Sequence, residues 1–88
     1  MYNENYLDLA CRRGLLELEI IIMSFFKNQY DLLKVTDKLA FKELLKNQDI
    51  DLLNWIVHNN EPDDLQIKHI VKIIQDFYFQ RKRNELFL

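Results

Sequence analysis

Cys11 and Ser24 are the side chains most suited to nucleophilic attack, because each is the only residue of its kind in the 88-residue chain. A thiol or hydroxyl works as a nucleophile only beside a base that takes its proton. Neither has a histidine nearby in sequence, and each falls inside a predicted helix, so both read as packing residues. His58, His69 and Cys11 are scattered over different helices, whereas zinc requires three or four ligands at matched spacing; a metal centre is not expected. The two histidines fall on the polar sides of their helices and read as surface residues. Asp49, Asp51, Asp63 and Asp64 all lie at predicted helix starts, where the positive end of the helix dipole accounts for acidic residues.

Cradling a phosphate takes several glycines in one loop, and this chain has one, Gly14. Nucleotide binding by a glycine-rich loop is excluded. A DNA-reading helix would begin PDDLQ, which phosphates repel. Arg81, Lys82 and Arg83 complement the negative pole of a C-terminal helix. With no global positive charge (net −2), no nucleic-acid partner is expected.

One constellation remains: Arg12, Arg13, Gly14 and, three residues on, Glu17. Two readings fit it. In the first, Gly14 takes the left-handed conformation that ends one helix and lies near the N-cap of the next. Glu17 then reaches back to the cap amide as half of a capping box. In the second, Glu17 points away from the stripe of Leu18, Ile22 and Phe25, and bare backbone at Gly14 lets another protein approach closely. Trp55, off the apolar stripe of its own helix, is either an interface anchor or a packing residue.

The elements that carry these residues are helical, since apolar residues recur at three and four rather than two. The first helix, Asn5 to Arg13, presents Tyr6, Leu9 and Ala10. The second, Leu15 to Tyr30, has a main stripe (Leu15, Leu18, Ile22, Phe25, Phe26) and a second one (Leu16, Ile20, Met23), which suggests packing from both sides. Thr36 caps a third, Asp37 to Asn47, facing inward through Phe41, Leu44 and Leu45. Asp49 caps a fourth, Ile50 to Asn59, facing inward through Leu53, Ile56 and Val57. NNEPDD opens the fifth, with Ile67, Ile70, Val71, Ile74, Phe77 and Tyr78 as its stripe and QRKR at its end. The expected fold is all-α: one domain over residues 1–88, a compact five-helix antiparallel bundle, with residues 1–4 and 84–88 frayed.

A lone cysteine fits a reducing compartment. MYNENYLDLA lacks the basic start of a secretory signal, and the longest apolar run, Ile20 to Phe26, is about a third of the roughly 20 residues a membrane span needs. No membrane insertion is expected.

RRGLLELEIIIMSFF, with Arg13, Gly14 and Glu17 as an RGxxE core, then Phe41, Leu44 and Leu45, then DIDLLNWI with Asp49, Asp51, Leu52 and Trp55, resembles the SdhE family. These are succinate dehydrogenase flavinylation factors, also called FAD assembly factors. The similarity runs from about Tyr6 to Gln75. Family members are small five-helix bundles. The resemblance implies a role in promoting covalent attachment of FAD to the flavoprotein subunit of succinate dehydrogenase and, in bacteria, of fumarate reductase. It implicates Arg13, Gly14 and Glu17 as the functional surface, with Arg12 and Trp55 beside them as partner-binding candidates.

A factor of this kind is no enzyme and binds no cofactor stably; FAD is handled through the partner. It is expected to be a monomer when free, in a bacterial cytoplasm, because mitochondrial relatives carry an added presequence. Family members often have Asp where this chain has Glu19, and a polar residue where it has Leu16. The alternative is a generic helical interaction module, such as an antitoxin-like regulator.

Overall fold

A computed structural model describes the backbone of residues 4–86 and the side chains of residues 6–80. Five α-helices account for most of it: α1 (Glu4–Ala10), α2 (Leu16–Gln29), α3 (Val35–Leu44), α4 (Asp49–Ile56) and α5 (Leu65–Leu86). A 3-10 turn, Tyr30–Leu32, follows α2, and no strand occurs among the described residues. The long α5 packs against α2, α3 and α4. The expected frayed ends fall largely outside the described residues.

Burial of apolar side chains holds these helices together, since helices of 7 to 14 residues such as α1 to α4 are marginal alone. Leu18, Ile21, Ile22 and Phe25 of α2 meet Ala40, Phe41 and Leu44 of α3 and Ile67, Ile70, Val71 and Ile74 of α5 in one buried cluster. Phe41 is at its aromatic centre, with ring centroids 5.5 Å from Phe25, 6.2 Å from Phe26 and 5.7 Å from Tyr30. Phe77 closes the cluster from α5, edge-on to Phe25 at 5.7 Å.

Several local expectations are corrected. The buried face of α1 is Leu7 and Cys11, with Ala10 partly covered, while Tyr6 and Leu9 are 61% and 68% exposed. On α2, Leu16 and Ile20 of the second stripe are exposed, as is Leu15, and only Met23 packs against the core. This helix is covered on one side there. Helix α3 starts at Val35 with Lys34 as its N-cap and no side-chain cap, so Thr36 lies inside the helix. Leu52 joins Ile56 as the buried face of α4, leaving Leu53 and Val57 half-buried. Helix α5 continues past QRKR to Leu86.

The acidic start of α5 behaves as its sequence suggests. Asp64 Oδ1 accepts the amides of Gln66 (2.8 Å) and Ile67 (3.0 Å), which otherwise lack helical partners. At the preceding turn, Gln75 of α5 donates through Nε2 to the carbonyls of Trp55 (3.1 Å) and Ile56 (3.0 Å), fastening the end of α4.

Candidate functional site: the Arg13–Gly14 joint

Helix α1 stops at Ala10, four residues before Gly14, so the glycine does not itself end it. Nor is Gly14 left-handed: the positive backbone angle among the described residues belongs to Asn59, at φ 62° beyond the end of α4. Asn tolerates that conformation better than other residues with a Cβ. What replaces glycine chemistry at the end of α1 is Arg13.

Its guanidinium collects chain ends from across the fold. Nη1 donates to the Ala10 carbonyl at the end of α1 (2.8 Å) and to Leu45 O just beyond α3 (3.1 Å). Nη2 donates to Asn47 O (2.5 Å), and Nε donates to Asp49 Oδ1 in the first turn of α4 (2.7 Å). Carbonyls at helix C-termini lack intrahelical donors and carry partial negative charge. One planar cation therefore satisfies the negative ends of two helices and an acidic residue at the positive end of a third. The side chain is only 11% exposed. A lysine, with three rotatable donors and no fork, cannot reproduce this geometry.

The backbone of the joint is held from both sides. Asp49 Oδ2 accepts the Gly14 amide (2.8 Å), and Glu19 Oε1 accepts the Arg13 amide (2.8 Å). Asp49 was expected to cap α4; Gln48 is the N-cap there, without a side-chain bond, and the Asp49 carboxylate turns to the joint instead. Likewise Leu15 is the N-cap of α2, and the acid that reaches back is Glu19, not Glu17. A Cβ at Gly14 would lie 3.3 Å from Asp49 Oδ2. Close approach to this carboxylate, rather than a left-handed backbone, explains the glycine.

Partial burial pushes the Asp49 carboxyl up, but the Arg13 hydrogen bond, the Gly14 amide and the Arg13 charge together hold it below its ordinary value of 3.8. Cys11, one turn before the joint, is fully buried. Burial, with a smaller push from Asp8 against the pull of Arg13, raises its thiol to about 12. It is an inert packing residue.

Of the remaining candidates, Gly14 and Glu17 are exposed. Arg12 is exposed and bridges Asp8 at 3.6 Å. Trp55 is half-buried against the core, beside Pro62 and Asn47. Arg13 and Gly14 are thus tied into the joint, with Arg13 facing inward, while Arg12 precedes it and Glu17 follows it in the first turn of α2, both exposed. Sequence reasoning missed the parts Asp49 and Glu19 play in it. It also missed the contact of His69 Nε2 with Asp37 Oδ1 at 3.1 Å, which ties the exposed histidine of α5 to a buried acid of α3.

No group of three or more His, Cys, Asp or Glu capable of holding a metal occurs among the described residues. No helix among them is long and apolar enough to cross a membrane.

The chain is also similar to known proteins over most of its length. The model of a family described as Sdh5, flavinator of succinate dehydrogenase, matches residues 6–78. The FAD assembly factor SdhE of a Serratia strain is 47% identical over 73 residues, and that of Pectobacterium atrosepticum is 45% identical over 73. Each alignment covers 83% of both chains. The corresponding protein of Photorhabdus laumondii is 43% identical over 74 residues, 84% of each. With the joint and all five helices' cores inside the matched region, the chain belongs to the Sdh5 (SdhE) family of flavinylation factors.

Proposed function

We propose that this protein is an assembly factor that binds the flavoprotein subunit of succinate dehydrogenase and promotes covalent attachment of FAD to it. The observation that carries this reading is the family match across residues 6–78, whose description and relatives' names specify flavinylation and FAD assembly. The joint suits such a role. It carries no nucleophile, since Cys11 is buried and protonated. What it offers is a fixed surface: Gly14 backbone, the Glu17 carboxylate and Arg12, flanked by exposed Leu16 and Ile20 on α2.

Attachment through the flavin draws on the flavin's own electronics and on groups of the flavoprotein. The factor acts by binding a reactive conformation of the flavoprotein more tightly than the others, which raises its population. It is not itself the catalyst and holds no FAD of its own. Glu17, Gly14 and Arg12 meet the partner; Arg13 supports them from beneath, and Trp55 serves packing over the joint between α4 and α5. The flavoprotein of fumarate reductase is a second client by the same chemistry.

Deleting the gene and measuring covalent flavin on the flavoprotein by in-gel fluorescence after denaturation tests this. Flavin should be strongly reduced and be restored by the wild-type chain but not by Glu17→Ala. Undiminished flavin in the deletion strain would sink the reading.

A further inference from the structure

Two residues of the joint depend on one carboxylate contributed 35 or 36 positions away. Asp49 places Oδ1 on the Arg13 guanidinium and Oδ2 on the Gly14 amide, so a single planar group fixes a side chain and the neighbouring peptide at once. Charge-assisted bonds to both oxygens set orientation as well as distance. Gly14 is followed by Leu15, the N-cap from which α2 begins, and Glu17 is the second residue of that helix. The orientation of the Gly14 peptide therefore sets where α2 starts and where Glu17 projects. The closeness of a Gly14 Cβ to Oδ2, 3.3 Å, shows how tightly carboxylate and backbone are fitted.

An acid needed only for the positive end of α4 would have no reason to turn away from that helix. Asp51 occupies the same first turn and has no hydrogen bond to the joint. The two aspartates share a helix end and differ in what they touch.

We propose that Asp49 is the positioning residue of the docking surface: it does not meet the flavoprotein but holds Arg13 and Gly14 so that the Gly14 backbone and Glu17 are presented in the geometry the partner recognises. The assignment rests on the reading that Gly14 and Glu17 dock. Preorganisation of this kind acts on affinity, because a loosened segment must be ordered again on binding. It leaves the step that follows binding untouched.

The test uses the full chain and the purified flavoprotein subunit of succinate dehydrogenase lacking covalent flavin. Dissociation constants are measured for wild type, Asp49→Asn, Asp51→Asn and Glu17→Ala, together with flavinylation rates across factor concentration. Asp49→Asn replaces an acceptor with an amide donor facing donors. It should weaken binding about tenfold, the cost of reordering roughly one or two loosened residues when the partner binds, while the rate at saturating factor approaches wild type. Asp51→Asn should stay within about twofold, because the bonds to Arg13 and Gly14 come from Asp49. In solution NMR the Gly14 amide should shift and lose exchange protection in Asp49→Asn alone.

Wild-type affinity in a folded Asp49→Asn, with Glu17→Ala weakened, overturns the positioning role and leaves the docking reading standing. Unchanged affinity in Glu17→Ala as well overturns the docking surface itself. If Asp49→Asn does not fold, Asp49→Glu serves in its place: it keeps the charge and displaces the oxygens. Weakened binding then supports the proposal, and unaltered binding refutes it.

Discussion

Adjacent arginines of the same joint should differ sharply when truncated. Arg13→Ala removes four side-chain hydrogen bonds, leaving Asp49 without its cation and the carbonyls of Ala10, Leu45 and Asn47 without a donor. Breaking a buried ion pair from one side costs about 3 to 5 kcal/mol. Arg13 is 11% exposed but Asp49 28%, so water partly recovers the carboxylate and the lower end, about 3 kcal/mol, applies. A domain of this size has roughly 4 to 13 kcal/mol in total, and a loss of about 3 kcal/mol lowers Tm by roughly 12 to 24 °C. Arg12→Ala is the internal control. Its bridge to Asp8 is 3.6 Å long between side chains 58% and 37% exposed, worth about 0.5 kcal/mol or less. Thermal melts followed by far-ultraviolet circular dichroism measure both variants under identical conditions. Were Arg13→Ala to melt within about 3 °C of Arg12→Ala, the assignment of Arg13 as the tie between helix ends would be wrong, since Tm moves about 4 to 8 °C per kcal/mol.

Three further outcomes follow from the same geometry. Because the Asp49 carboxyl is held below its unfolded value of 3.8, the unfolded chain binds the extra proton first. The stabilisation is then fully present above pH 3.8 and is lost as pH falls through the lower folded value, so acid titration of Tm should be shallower below pH 4 for Asp49→Asn than for wild type. Cys11, buried with its thiol raised to about 12, should react with a thiol reagent at pH 8 at least about a hundredfold more slowly in the native protein than in denaturant; fast native labelling would contradict the packing of α1. Leu16→Ser and Ile20→Ser alter side chains 72% and 49% exposed, so unfolding free energies from denaturant titration should change by about 0.5 kcal/mol or less, while affinity for the flavoprotein falls; a large stability loss would mean that this stripe is covered within the protein itself.

The helices were legible because their cores repeat at helical spacing over several turns; Phe41 and Leu44 on α3, Leu45 just after it, and Ile67, Ile70, Val71 and Ile74 on α5 are buried as expected, while Phe77 and Tyr78 are half-buried. Helix α1 was not, because seven residues offer two equally regular stripes, and only its seat on the fold selects Leu7 and Cys11 over Tyr6 and Leu9. The second stripe of α2 has the same ambiguity: Leu16 and Ile20 are spaced for burial, but nothing covers them within the described residues. Glu17 was read correctly as outward-facing from its position opposite Leu18 and Ile22. The partnership of Arg13 with Asp49 has no local signature, since periodicity reports neighbours three or four apart and these are 36 apart. Its trace in the sequence was the pairing of an RGxxE segment with a DxD segment, two motifs that meet in space.

That separation also orders events during synthesis. Arg13 and Gly14 leave the ribosome early, yet their acceptors at Leu45, Asn47 and Asp49 lie 32 to 36 residues downstream. Long-range contacts of this kind form only after the intervening loop has closed. A nascent chain ending before residue 45 would lack every long-range acceptor of Arg13, and one ending before residue 49 would still lack the carboxylate that holds the Gly14 amide. The surface we propose for docking is thus fixed in place only once α4 is present.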